Sequence, residues 1–428
     1  MSVKTILSEL EGCTDSALLN DWHVVAYSTD LEQGKLLPVT LMERDLVLWR
    51  SASGEVHAWD DLCIHRGARL SKGCIERDTV VCPYHGWRYN DQGSCVLIPA
   101  APNEPPMKKA RAITHPVKER YGFIWVSTGT PEKDIPVFPE WDDASYQKVH
   151  CGPYTFRSGY RAVENFMDPS HFPFVHAGVN GIYDNPDPIA PYDVELTEEG
   201  LVTSEVRVTQ PYGDPRQIPV IAYYAYKCFR PLVAYFKKRL VIQNPEDQHL
   251  GNEDDRFCTF LTTQMVDQQT SIVRICCAMN FNPQPTVEDV RRRQDIVYAQ
   301  DAGIVDTQRP ERIPVDLRLE LHHRSDLLGQ KYRKWIQTMG ITSGVFSRFG
   351  PLHPAGHHYR PAGCRAGHLP ADPAGRGWHP PAPGNTGGPY RRTPARWPEP
   401  TILPAVIRSL YHRHQGRAGR AWGFAMAA

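Results

Sequence analysis

Cys63-Ile64-His65-Arg66-Gly67-Ala68 and Cys82-Pro83-Tyr84-His85-Gly86-Trp87 are the stretches on which the reading of this chain turns. Each places a thiol and an imidazole in one short loop, and 16 residues lie between His65 and Cys82. Two cysteines and two histidines suit a tetrahedral zinc ion. They equally suit a [2Fe–2S] cluster in which two histidines replace two cysteines on one iron. Zinc fingers pair their cysteines together, whereas here each cysteine travels with a histidine.

The two loops resemble those of Rieske [2Fe–2S] proteins, with the four ligand positions and both loops agreeing over about 25 residues. The resemblance implies that Cys63, His65, Cys82 and His85 hold the cluster. High-potential respiratory members carry an extra cysteine in each loop, but the matching positions here are Ala68 and Tyr84, so no disulfide can tie the loops together. That implies the lower-potential kind found in ferredoxins and oxygenases, because fewer polar contacts stabilise the reduced cluster. Cys74 and Cys95 lie off the pattern and read as packing residues.

Outward from the loops, residues 21–130 are rich in β-branched and aromatic runs broken by turn residues, such as Leu46-Val47-Leu48-Trp49 and Phe123-Ile124-Trp125-Val126. This predicts a small antiparallel β domain after a lead-in of residues 1–20. Pro131, Pro136 and Pro139 read as a linker opening a second domain, 131–346. That domain mixes strands, such as 201–209 and 257–265, with helices near 158–167, 287–308 and 325–339, an α+β pattern.

The second domain contains a further set of metal-binding side chains. Asp168-Pro169-Ser170-His171-Phe172-Pro173-Phe174-Val175-His176 carries two histidines that would stand about 140° apart on a continuous helix, too far for one metal. Pro173 disfavours helix at Phe172, so the chain is expected to bend there and return His176 towards His171. Asp168 before Pro169 suits a helix N-cap. A facial triad needs one carboxylate more. On the helix after Thr286, Val290, Val297, Ile304, Val305 and Gln308 fall within about 60° of Asp301, which places Asp301 on the apolar stripe, while Asp295 and Asp306 face solvent. An inward carboxylate is costly to bury without a partner, and a metal ion is a natural one.

Together, Cys63, His65, Cys82 and His85 followed by Asp168, His171, His176 and Asp301 resemble the α subunits of Rieske non-haem iron oxygenases over most of residues 20–345. The resemblance implies a catalytic domain of helix-grip type, with an antiparallel sheet wrapping a long helix. It implies a mononuclear Fe(II) held by His171, His176 and Asp301, with O2 as co-substrate. Asp168 becomes the bridge between His171 and a Rieske histidine of a neighbouring subunit in a homotrimer. Asn165 becomes a group close to the iron, and Glu164 reads as structural. An NAD(P)H-dependent reductase or a ferredoxin must reload the cluster, which holds one electron at a time. Arg120–Val126, Phe138–Asp143, Ser170–Phe174 and Tyr332–Trp335 resemble the single-component-type branch, with N- and O-demethylases and the hydroxylases of saxitoxin-type alkaloids. The expected reaction is hydroxylation of a C–H bond of a small organic substrate, with oxidative demethylation or aromatic ring dihydroxylation as alternatives on the same centres. An electron carrier would need the first domain alone.

Composition sets the outer bounds. With 428 residues, 41% hydrophobic and 22% charged, the chain matches a globular enzyme. Eleven cysteines without disulfide-scaffold density favour a reducing compartment, and no apolar run reaches the roughly 18 residues that cross a bilayer, so a cytoplasmic protein without a membrane partner is expected. The zero net charge conceals an asymmetry: residues 347–428 hold 11 Arg, no Lys and two acids, a net +9, with 13 Pro and 12 Gly. This tail reads as disordered, or as a frame-shifted or fused extension, and its His357-His358 and Arg391-Arg392 pairs as solvated chain rather than metal or nucleic-acid sites.

Overall fold

The computed structural model describes residues 12–212 and 215–347. Apart from Ser347, the arginine-rich tail lies outside the described residues, as do the first eleven positions of the lead-in. Among the described residues no helix is long and apolar enough to cross a membrane.

After a single helical turn, α1 (Ser16–Leu19), the first part of the chain forms three small antiparallel sheets. One joins β1 (His23–Tyr27), β11 (Phe123–Val126) and β10 (Val117–Arg120). A second runs β2 (Leu36–Leu41), β3 (Arg44–Arg50), β4 (Val56–Asp60) and β9 (Thr114–His115). The third runs β5 (Cys74–Glu76), β6 (Thr79–Val81), β7 (Arg88–Tyr89) and β8 (Cys95–Leu97). The first cysteine loop leads towards β5 and the second joins β6 to β7, so one short sheet carries both. Trp49, Trp59, Leu70, Val80 and Tyr89 bury their side chains beneath it with Cys63 and Cys82.

The second part is dominated by an eight-stranded antiparallel sheet. Its order is β12 (Gln147–Phe156), β19 (Thr270–Met279), β18 (Arg256–Asp267), β17 (Val233–Ile242), β16 (Val220–Arg230), β14 (Gly200–Thr203) and β13 (Val194–Thr197), with β15 (Val206–Gln210) also paired to β16. The expected strand 201–209 is thus two strands, broken at Ser204 and Glu205, because β14 and β15 pair with different ends of β16. Against the sheet pack α2 (Gly159–Phe166) and α4 (Val287–Val305), with the single turn α3 (Phe172–Val175) between them in sequence. A fifth helix, α5 (Leu327–Thr338), buries Leu328, Tyr332, Arg333 and Ile336. A parallel pair, β20 (Ile313–Pro314) and β21 (Val345–Phe346), closes the described chain. This is an antiparallel β domain followed by a large antiparallel sheet with helices, as expected.

Three expectations need correction. The proline-rich stretch is packed rather than loose, since Ile135, Phe138 and Glu140 are buried, with Phe138 stacked 5.1 Å from Phe260 of the large sheet. Cys74 is exposed because β5 is an outer strand of its sheet, and only Cys95 of that pair packs inward. The helix expected to reach residue 308 ends at Val305, and its buried stripe is Val290, Gln294, Val297, Tyr298, Asp301 and Val305. Ile304 is 55% exposed and Gln308 lies beyond the helix, so the stripe passes through Asp301 along a line slightly different from the one read in the sequence.

Candidate metal centres

The two cysteine loops repeat one backbone pattern. Cys63 N–H donates to the Ala68 carbonyl (2.7 Å) and Gly67 N–H to the Cys63 carbonyl (2.9 Å). Cys82 N–H likewise donates to the Trp87 carbonyl (2.9 Å) and Gly86 N–H to the Cys82 carbonyl (3.0 Å). Both turns close through a glycine in the left-handed region, Gly67 at φ 71° and Gly86 at φ 68°, where a side chain would be strained. Each loop therefore presents its cysteine at the start of the turn and its histidine at the tip.

The sulfurs lie inside and the imidazoles outside. Cys63 and Cys82 are 1% and 2% exposed, His65 is half-buried and His85 is exposed. The rings of His65 and His85 stand 4.5 Å apart, and His65 lies flat on Trp87 at 4.4 Å, which fixes its plane. Burial pushes the Cys63 thiol up, while the Tyr89 hydroxyl, 3.2 Å from the sulfur, acts in the other direction. Burial and the neighbouring cysteine raise Tyr89 as well, so its hydroxyl keeps its proton and donates when the sulfur is a thiolate. His65 Nδ1 is buried without a hydrogen-bond partner. Two buried thiols and an orphaned ring nitrogen on matching loops fit a cluster with two sulfur and two nitrogen ligands.

The second set of side chains is assembled by a break in helical structure. Ser158 caps α2, which runs to Phe166. Asp168 then caps a 3-10 turn, Pro169–His171, its Oδ1 accepting from Ser170 N–H at 2.7 Å. Phe172 is helical (φ −53°, ψ −45°), contrary to expectation, because Pro173 occupies the first turn of α3, where its missing N–H costs nothing. The return of His176 comes instead from joining a 3-10 turn to a single α turn that stops at His176 (φ −111°, ψ 37°).

His171 Nε2 and His176 Nε2 then stand 3.2 Å apart, and Asp301 Oδ1 reaches His176 Nε2 at 3.0 Å and His171 Nε2 at 3.4 Å. Bonds of roughly 2.1 Å at right angles to one ion put neighbouring ligand atoms about 3.0 Å apart, the facial arrangement of two histidines and a carboxylate. His176 donates from Nδ1 to Gln300 Oε1 (2.9 Å), which turns Nε2 towards the triangle as the atom a metal would meet. Asp301 Oδ1 makes no conventional hydrogen bond although it is buried. The donor set, the edge lengths and the fixed tautomer all fit a divalent ion. Burial opposes charge on Asp301, yet the two imidazoles hold its carboxyl far below the usual carboxylate range. For His171 burial also opposes charge, and Asp168 and Asp301 outweigh it, pushing the ring up to about 9.

The other expected residues sit around this triangle. Asp168 is 40% exposed, and its Oδ2 stands 3.8 Å from His171 Nδ1, an ionic contact longer than a hydrogen bond. The expected N–H donation from His171 is therefore not made in this arrangement. Asn165 lies on the wall shared by two hollows, one with Asp168 and one with His171, His176 and Asp301. Glu164 is structural: Arg333 grips both its oxygens at 2.6 and 2.7 Å, locking α2 to α5. Gln300 and Tyr89 escaped the sequence reading. The hollow beside the triangle is walled by Phe236, Phe257, Val297, Tyr298 and the polar Thr259 and Lys238, among others. At about 50 Å³ it has room for a water or two, so a ring-sized ligand must displace wall side chains.

Comparison with known proteins agrees with this construction. Residues 21–118 match the Rieske [2Fe-2S] domain family, and residues 160–340 match the vanillate O-demethylase oxygenase C-terminal domain family. The chain is 29% identical to methylxanthine N1-demethylase NdmA of Pseudomonas putida, over 76% of this chain and 92% of that protein. It is 32% identical to a probable methylxanthine N7-demethylase, NdmC, of Pseudomonas sp. (strain TJI-51), over 53% of this chain and 78% of that one. The solved structure of NdmB from Pseudomonas putida superimposes with a TM-score of 0.62 at 26% identity, covering 76% of this chain and 91% of that one.

Proposed function

The chain belongs to the Rieske non-haem iron oxygenase α subunits, and from that premise we propose that it removes a methyl group from nitrogen or oxygen of a small organic substrate by oxidation. The observation that carries the reading is the 3.0–3.4 Å triangle of His171, His176 and Asp301, buried beside an aromatic-walled hollow in a chain that also carries a Rieske domain. Named relatives act on N-methyl groups and one matched family on an O-methyl ether, which favours demethylation over the plain hydroxylation expected first.

His171, His176 and Asp301 would hold Fe(II), while Cys63, His65, Cys82 and His85 would hold the cluster. When bound, these groups supply dioxygen activation and single electrons. The chain's own contributions are positional. Gln300 keeps His176 in the tautomer that turns Nε2 towards the triangle. Buried walls keep bulk water from the substrate methyl group. Asp168, with one edge on the surface, connects His171 to a Rieske histidine of a neighbouring subunit in a trimer. The balance is one methyl C–H, O2, two electrons and two protons giving a hydroxymethyl group and water. The hydroxymethyl product then releases formaldehyde. Electrons come from an NAD(P)H-dependent reductase, directly or through a ferredoxin.

Formaldehyde provides the test. Iron-loaded protein, a Rieske-type reductase and NADH are offered N-methyl and O-methyl heteroaromatics while oxygen and formaldehyde are followed. Demethylation releases one formaldehyde per O2 consumed. Substrate-dependent oxygen uptake that yields diols, or hydroxylated products without formaldehyde, refutes it.

A further inference from the structure

The face of the large sheet that meets the N-terminal sheets changes character along its strands. Cys258 and Phe260 of β18 pair with Ala278 and Cys276 of β19, and all four are buried among aromatic rings such as Trp22, Tyr27 and Phe123. The next positions on that face are Thr262, Gln264 and Arg274, which are buried as well, Arg274 being 7% exposed. Burying a guanidinium is costly unless its donors are engaged. Nη1 donates to Gln264 Oε1 at 2.6 Å, and the Tyr27 ring lies 5.8 Å from Cζ. Nε is buried without a hydrogen-bond partner, and among the described residues Nη2 makes no bond either. Burial pushes the group down from its usual value, with Tyr27 and Asp30 acting the other way, and an arginine keeps its charge under that opposition.

Nε and Nη2 form the side-on fork of a guanidinium. Elsewhere in this protein that fork takes a carboxylate through two bonds: Arg44 holds Asp60 at 2.7 and 2.8 Å, and Arg333 holds Glu164 at 2.6 and 2.7 Å. At Arg274 no carboxylate of the described residues stands within ion-pair distance, and Asp30 acts from further away. Arg274 borders a cleft of about 390 Å³ between β2 and the strands β18 and β19, a size that suits a small organic ligand. Val25, Leu37, Val39, Leu46 and Ile272 make its apolar walls. Two acids also border it, and each is engaged. Asp45 accepts from Thr40 Oγ1 (2.9 Å) and pairs with Arg69, while the exposed Asp30 accepts from the Tyr27 N–H (2.9 Å). The cleft shares no lining residue with the hollow beside the triangle.

We infer that this cleft is a second ligand site, in which the Nε and Nη2 fork of Arg274 takes the carboxylate of a small apolar monocarboxylic acid whose hydrocarbon part lies against the walls from β1, β2, β3 and β19. Nη2 is the entry to the fork, and turning the guanidinium plane towards an acceptor there gives Nε its missing partner. A compound bound there lies apart from the triangle and is not the one oxidised. A charge-assisted pair of this kind is worth roughly 10- to 100-fold in affinity over a neutral isostere.

The test separates charge, fork and space. Binding of hexanoate, octanoate and phenylacetate, and of the three matching amides, to protein with both iron centres loaded is measured by anaerobic calorimetry. The native chain is compared with Arg274→Gln, Arg274→Lys and Leu37→Trp. At least one acid should bind the native protein 10-fold or more tighter than its amide. Arg274→Gln should remove that preference, and Arg274→Lys, which keeps the charge without the fork, should lose most of it. Leu37→Trp fills the cleft and leaves Arg274 in place, so it should weaken the acid at least 10-fold. If the arginine variants fail to load the cluster, Leu37→Trp is the measurement. Equal binding of acids and amides by the native protein, no binding of any acid, or unchanged acid binding in a folded Arg274→Gln or Leu37→Trp overturns the site. Full preference in Arg274→Lys overturns the fork. None of these readouts depends on removal of a methyl group, so the site and the demethylase reading stand or fall separately.

Discussion

Cys63, His65, Cys82 and His85 come from two neighbouring loops that repeat the same hydrogen bonds and the same left-handed glycine. His171, His176 and Asp301 come from a broken helix and from a second helix about 125 residues further on. The first set turns its sulfurs inward and its imidazoles towards the surface, while the second is buried except for a small part of His171. On the proposed function, the contrast follows from the chemistry each would serve. A group that exchanges electrons with another protein needs a polar edge at the surface, whereas a site that oxidises a C–H bond must exclude water. Asp168 is where the contrast narrows, because it touches the buried triangle through His171 and is itself 40% exposed.

The largest expected effect breaks that link. Asp168→Asn should leave both metal centres loaded and the cluster reducible, yet lower turnover about 100-fold, because a neutral amide no longer attracts His171 or a neighbouring histidine. Asparagine caps a turn about as well as aspartate, so normal single-turnover product formation would mean that Asp168 is only a cap.

Next in size is Gln300→Leu, which removes the acceptor that fixes His176. Fe(II) affinity should fall roughly 10- to 100-fold, with the cluster untouched. The same titration reads a pH effect. His171 is raised to about 9 in the metal-free site and must lose its proton to bind iron. Affinity should therefore rise about tenfold per pH unit and flatten above pH 9. A flat profile between pH 6.5 and 9 would show that His171 binds no metal.

The smallest effect concerns the cluster side. Low potential was expected from a scarcity of polar contacts, but Tyr89 Oη lies 3.2 Å from Cys63 Sγ. Donation to a thiolate stabilises the reduced, more negative state. Tyr89→Phe should lower the midpoint potential by on the order of 40 mV, one modest hydrogen bond. An unchanged potential in a redox titration would remove Tyr89 from the account.

What the sequence disclosed follows the same division. The cysteine loops were legible because ligands, turn glycine and proline are local, so spacing alone encodes them. Asp301 was found because a carboxylate on an apolar helical stripe contradicts its surroundings. The bend between His171 and His176 was expected, but for the wrong reason, since spacing cannot distinguish a kink at Phe172 from a switch between 3-10 and α turns. Ile304 and Gln308 were placed on the stripe because an ideal 100° step ignores where the helix stops. Gln300 was beyond reach, because its contact needs the approach of α4 to His176. Tyr89 is close in sequence to Cys82, yet its contact is with Cys63 across the sheet.

The central claim is that this one chain holds two separate iron centres, and iron counting with visible spectroscopy on paired variants tests it most directly. The native protein should contain three irons per chain and no stoichiometric zinc. Cys82→Ser should lose the cluster's visible absorption and its two irons, and His176→Ala should lose one iron while the absorption stays as it was. Zinc in place of iron at the cysteine loops, or three irons retained after His176→Ala, would contradict it.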